Sequence, residues 1–337
     1  MKSRSDVLYE GSTKCDMALN MEDLDYEGYL LFNDIRRLSP DIDIEEVVEK
    51  LEQHSIQSRD EEIKEVLLPP RALDEPLPKE FFRMMDEDCW WFKYKITEYE
   101  EQQGYDEEGE LRKIKIPSEQ SCDVFITSGG YLLTRGSAAD APEFTNRVIE
   151  IIDELGFSQD HEEIEFDSDF LIWLIYQTES PQSQSLDISI ERLTDAKVTG
   201  KTDIFGQENR VSGSQNVARS APVLTGILAR KAVSMLGGIF RIDDVTLRAD
   251  ITSEGRIHIK VDRDIAHLGS AGRVIAAVQF AQRLCNIYSE WKDGGVQNRY
   301  PPDDFFEQTY RNLNDAGIDL TFSIDETLEY YRDKRDE

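Results

Sequence analysis

The chain has 337 residues, with 69 Asp and Glu against 38 Lys and Arg, and its net charge of −31 sits on a hydrophobic content of 39% arranged in periodic runs. That combination excludes a disordered acidic tail and describes a folding protein with an acid-coated surface. No run approaches the roughly 18 apolar residues of a membrane span, and the N-terminus lacks a charged-then-apolar signal pattern, so the expected location is cytoplasmic.

Residues 1–20 are polar and unpatterned and read as a flexible tail. From 21 to about 55 the pattern is helical: Leu24, Leu30, Leu31 and Ile35 space one apolar stripe, and Ile44, Val47, Val48 and Leu51 another. The prolines at 69, 70, 76 and 78 mark a connector that closes this acidic helical segment, 21–78. A first α+β lobe, 79–177, follows. Strands are predicted at 90–99, 111–116, 122–128 and 131–135, with turns at 105–109 and at Gly129-Gly130, then a helix over 141–155. The apolar segment 166–176 should be buried, and 178–185 reads as a linker.

The second lobe, 186–292, is expected to hold strands at 186–192 and 196–202, a loop at 209–214 and a helix over 215–236 closed by Gly237-Gly238. A strand over 239–251, a turn at 253–255, a strand over 256–262 and a long helix over 271–291 complete it. An acidic helical tail, 293–337, is anchored by Tyr310, Leu313, Leu328 and Tyr331. Ile126-Thr127-Ser128 recurs as Ile251-Thr252-Ser253, each before a glycine turn, a strand and a helix, at an offset of 125 residues. The fold class is therefore α+β: antiparallel sheets backed by helices, in two lobes that duplication would relate, with helical N- and C-terminal extensions.

Charge is distributed unevenly along this order. Residues 192–300 carry 16 basic and 11 acidic side chains, a net +5 that leaves −36 for the rest. A basic island in so acidic a chain points to one face that meets an anion, nucleic acid being the prime example. The remaining acid is dispersed, and Arg outnumbers Lys by 23 to 15, a pattern that favours a salt-adapted cell over an acidic interaction protein. Molar salt shortens the Debye length to about 3 Å and screens such self-repulsion.

The basic hairpin can be read in register. Val245, Leu247, Ala249 and Ile251 alternate on one strand, and Ile257, Ile259 and Val261 on the other. Only a three-residue loop at 253–255 aligns the two apolar sets, because a one-residue slip would move one set to the opposite face. That loop sends Arg248, Arg256, His258 and Lys260 away from the core and puts Arg248 opposite Lys260. Like charges so placed cost roughly 0.2–1 kcal/mol, which an anion would relieve. The competing reading is neutralisation by Asp250, Asp262 or a distant acid. Arg241, on the preceding strand, joins the nucleic-acid-binding set, and Arg273 and Arg283 are expected to be solvated or salt-bridged.

Other constellations have less chemistry in them. Glu163, Glu165, Asp167 and Asp169 would hold a divalent cation or form a solvated edge. Asp243, Asp244, Asp250 and Glu254 near Lys260 loosely match a metal-dependent nuclease core, but His258 stands where such a core has its acid before the lysine. The loop 211–214 lacks a P-loop signature and reads as a helix cap. Trp90, Trp91 and Phe92 are expected in the core, the alternative being an exposed strand that stacks bases. The cysteines Cys15, Cys89, Cys122 and Cys285 and the four histidines are scattered, so reduced structural thiols are expected, with no metal, no cofactor and no catalytic residue.

Residues 125–136, FITSGGYLLTRG, followed by a helix ending Glu154-Leu155-Gly156-Phe157, resemble half of the TATA-box-binding protein repeat. Trp91-Phe92-Lys93 and the run from Asp169 to Leu174 are similar to two motifs of the bacterial recombination-associated DNA-binding proteins. Both resemblances imply duplex DNA bound by a sheet-and-helix scaffold without catalysis. The expected function is thus non-catalytic nucleic-acid binding through phosphates, with a protein-interaction or regulatory module that meets its partner through the acidic N- and C-terminal helices as the alternative and a metal-dependent nuclease third.

Overall fold

Residues Leu30–Leu38 form β1, the strand on which both halves of the sheet are built. The computed structural model describes residues 24, 28–53, 63–73, 88–105, 111–157, 160–178, 187–203, 205–261, 269–320 and 322–336. After β1 come α1 (Ile44–Gln53), β2 (Ile63–Leu67), β3 (Arg71–Ala72), β4 (Cys89–Tyr105), β5 (Leu111–Thr127), β6 (Tyr131–Arg135) and α2 (Ala141–Glu154). Then follow β7 (His161–Glu163), α3 (Ser168–Gln177), β8 (Ser189–Asp203), β9 (Gly206–Val211), α4 (Ala221–Leu228), β10 (Ala232–Ile242), β11 (Val245–Thr252) and β12 (Ile257–Val261). Helices α5 (Gly269–Asp293), α6 (Val296–Arg299), α7 (Asp303–Asp315) and α8 (Ile324–Asp336) end the chain.

The fold is α+β. One sheet runs β2-β4-β5-β6-β1-β12-β11-β10-β8-β9, with β3 beside β4 and β7 beside β1, and every pairing is antiparallel. Helices α1 and α2 cover one face of the β2-to-β1 half, where Val47, Leu51, Val148 and Ile152 meet Phe92, Val124 and Leu132. On the opposite face a larger core joins α3, α4, α5, α7 and α8 to strands of both halves, from Phe125 and Leu133 to Leu247, Ile259 and Val198. Trp91 and Phe92 are fully buried, on opposite faces of β4. Among the described residues no helix is long and apolar enough to cross a membrane.

Several expectations are corrected. The stretch 30–38 is a strand, not part of a helix: flanked by β6 and β12 and buried on both faces, β1 needs apolar residues almost throughout, and Leu31 and Ile35 fall at helical spacing within that run. The N-terminal segment therefore supplies the centre of the sheet as well as α1. Segment 209–214 is not all loop, since β9 reaches Val211, and the two strands expected at 186–202 are one bulged strand, β8. The helix expected over 215–236 is only a 3-10 turn, Val217–Arg219, and α4, after which β10 begins. Gly237 and Gly238 lie inside β10, where a Cβ on Gly238 would stand 2.6 Å from Arg192 O. They serve close strand packing, not a helix end. The N-terminal tail, all but Tyr105 of the turn expected at 105–109, the connector beyond Leu73 and nearly all of the linker lie outside the described residues.

The internal echo has a structural counterpart. β5-β6-α2 and β11-β12-α5 flank β1, with β6 and β12 each antiparallel to it. The two turns share one hydrogen-bond pattern: Gly130 N and Gly255 N donate to Thr127 O and Thr252 O, while Tyr131 N and Arg256 N donate to the two threonine hydroxyls. Both glycines are left-handed, at φ of 80° and 77°. The helices pack on opposite faces of the sheet, so the two units are related by a half-turn about β1.

Candidate nucleic-acid interface

The face that α1 and α2 cover in one half is polar and helix-free, among the described residues, in the other. On β12, β11, β10 and β8 the side chains alternate, with Leu247, Ala249, Ile251, Ile257 and Ile259 buried and their neighbours turned outward. The hairpin closes as the alternation demands, with Arg248 paired to Lys260, Asp250 to His258 and Ile251 to Ile257. Arg248 and Lys260 are both exposed. Neither forms an ion pair with a carboxylate of a described residue, although the charge of Asp250 acts on Arg248, and Lys260 lies 5.8 Å from the Tyr29 ring centre. Asp262, the other local acid, lies outside the described residues.

The remaining candidates are less available. Arg256 is half-buried and bridges Glu254 at 2.9 Å, and Arg241 is exposed but bridges Glu191 at 3.1 Å. His258 is half-buried, its Nε2 lying 3.0 Å from Asn33 Oδ1 on β1. Burial, then the Arg256 charge, holds its pKa below the ordinary 6.5, so the ring is neutral at pH 7. It offers a hydrogen bond, not a charge.

Strand pairing adds residues that sequence alone did not bring in. Ile239 of β10 pairs with Arg248 on one side and Arg192 of β8 on the other, which sets Arg192 in the Lys260–Arg248 row. The next row reads His258, Asp250, Gly237 and Asp195, and the row beyond it Arg256, Thr252, Met235, Lys197 and Arg210. Lys197 bridges Glu208 at 3.0 Å. The available signal for these neighbours was the basic island itself, which begins at Arg192. Placing them needed the order of β8, β10 and β11.

The other constellations divide. Asp167 caps α3 by accepting from Asp169 N at 2.8 Å, Asp169 pairs with Lys334 of α8, and Glu163 bridges Arg36 at 2.6 Å. Asp243, with its β10–β11 turn, binds Arg283 at 3.1 Å, whereas Glu254 lies about 25 Å away at the far end of β11. No three His, Cys, Asp or Glu among the described residues converge as metal ligands. In the loop 211–214, Gly213 N donates to Asp195 Oδ1 and Ser214 N to Thr194 O, while Asn216 caps the 3-10 turn. A cleft of ≈ 740 Å³ between α3, α4 and α7 is lined by none of the candidate site residues.

No protein-family model matches the chain, and no curated protein matches its sequence.

Proposed function

We propose that the chain binds nucleic acid without catalysing a reaction on it, through phosphates, on the open face of β12, β11, β10 and β8, in the cytoplasm of a salt-adapted cell. One observation carries the reading: Arg248 and Lys260 face each other, exposed and without an ion-paired acid among the described residues. Such a pair costs roughly 0.2–1 kcal/mol when unliganded and is relieved by a bound anion. Arg248, Lys260 and Arg192 would contact phosphates, with His258 donating or accepting a hydrogen bond beside them. The test is fluorescence anisotropy with labelled single-stranded and duplex oligonucleotides over a KCl series. Affinity should fall linearly on a log–log plot, and Arg248→Gln with Lys260→Gln should reduce the slope by about 2 on duplex DNA. No binding to either probe at any salt that keeps the protein folded rejects the proposal.

A second reading, a protein-interaction module, is favoured by the β4–β5 ribbon. From Tyr99–Pro117 to Tyr105–Leu111 these strands pair only with each other among the described residues, and Tyr99, Leu111 and Ile116 are exposed there. Replacing 99–117 by a short turn should then abolish partner capture and leave oligonucleotide binding intact.

A further inference from the structure

The row between the two basic rows is acidic, and its construction is specific. Asp195 on β8 and Asp250 on β11 flank Gly237 on β10, and both side chains lie on the open face. A Cβ at Gly237 would collide with Asp250 Oδ1 and come within 3.0 Å of Asp195 Cβ. The glycine therefore makes the space in which the two carboxylates approach each other, in the middle of the surface that would have to receive an anion.

We propose that Asp250, backed by Asp195, is an anion gate: its carboxylate competes with incoming phosphate for Arg248 and Arg210, and the face takes up a polyanion together with a proton on Asp250. This rests on the reading of the face given above. Asp195 already accepts hydrogen bonds from Gly213 N at 3.1 Å and Thr194 Oγ1 at 2.5 Å. No described residue donates one to Asp250, so Asp250 receives the proton. Burial, then the Asp195 charge, raises its pKa above the ordinary 3.8 against the pull of Arg248 and Arg210. The charged and titratable groups around it are Arg248 on its own strand, Arg256 in the turn before β12, His258 and Lys260 on β12, Asp195 with Lys197 on β8, and Arg210 on β9.

The sign follows from linkage. A phosphate beside Asp250 raises its pKa further, so the complex holds more protons than the free protein between the two values. Binding therefore tightens as pH falls through that window, by at most about tenfold per pH unit for one proton. His258 would contribute in the same direction, so the two must be separated.

The experiment measures anisotropy with a labelled duplex and a labelled single strand from about pH 5 to 8, using the full chain and its Asp250→Asn and His258→Gln variants. Asp250→Asn is expected to bind on the order of tenfold more tightly at neutral pH. It should also show a shallower pH dependence than the parent chain, while His258→Gln keeps most of the parent slope. Asp250→Asn binding no more tightly than the parent, or keeping the full slope while His258→Gln loses it, overturns the gate and leaves the interface standing. If neither the parent nor Asp250→Asn binds either probe, the interface itself is wrong and the gate falls with it.

Discussion

Lys334, three residues from the end of the chain, is held by Asp169 at the start of α3 and lies over the rings of Tyr300, Tyr330 and Tyr331, with 4.7 Å to the nearest centre. The Asp169 side chain is 11% exposed, so removing it strands a partly buried ammonium beside α8. Asp169→Ala should lower unfolding stability in urea by about 1–3 kcal/mol, less than a fully buried pair would lose because Lys334 keeps some water. The thiols of Cys89, Cys122 and Cys285 are buried, and burial pushes all three well above the ordinary thiol range. They should react with an aromatic disulfide reagent only as fast as the protein unfolds; rapid native labelling at any of them would contradict this packing. Sequence separates these cases poorly. Glu163, Asp167 and Asp169 read alike as a cluster of acids, yet one binds Arg36, one caps a helix and one meets a lysine 165 positions away.

Between single residues and the whole molecule, the two Thr-Ser-x-Gly turns give a controlled comparison. Each needs a left-handed glycine, so alanine at either position carries roughly 1–3 kcal/mol of backbone strain. At Gly130 an added Cβ has only Leu38 O near it, at 3.8 Å, whereas at Gly255 it would overlap Ile164 O. Gly255→Ala should therefore destabilise the protein more than Gly130→Ala in urea unfolding; equal losses would mean that the 164–255 contact is dispensable. The register of β11 and β12, and with it the Arg248–Lys260 pair, was legible because both strands alternate strictly and only one loop length buries both apolar sets. β10 was not. Its paired glycines imitate a helix stop, and their real purpose, clearance beneath Asp250 and beside Arg192, depends on neighbours 13 and more than 40 positions away. For the same reason Asp195 and Gly237 were absent from the sequence reading of the site.

At the scale of the whole chain, a net charge of −31 repels itself in dilute buffer. Thermal unfolding should show a Tm that rises steadily from low to molar KCl, and a Tm indifferent to salt would remove the argument for a salt-adapted cell. That trend opposes the proposed phosphate binding, which would weaken as salt rises. The two together set the window in which the interface can be assayed. The α+β class was legible from the strand and helix periods. The choice of one sheet over a pair was not, because its continuity depends on β1, whose apolar run reads equally as a helix. β1 also determines when the molecule can be finished. Its Leu30–Phe32 segment pairs with Ile257–Ile259, so that stretch of β1 has no mate on this side until β12 has been made. Until then it presents a bare apolar edge, ready to recruit the wrong strand. Closure of the sheet at its centre thus waits on β12, and a strand of one half is enclosed only by a strand of the other.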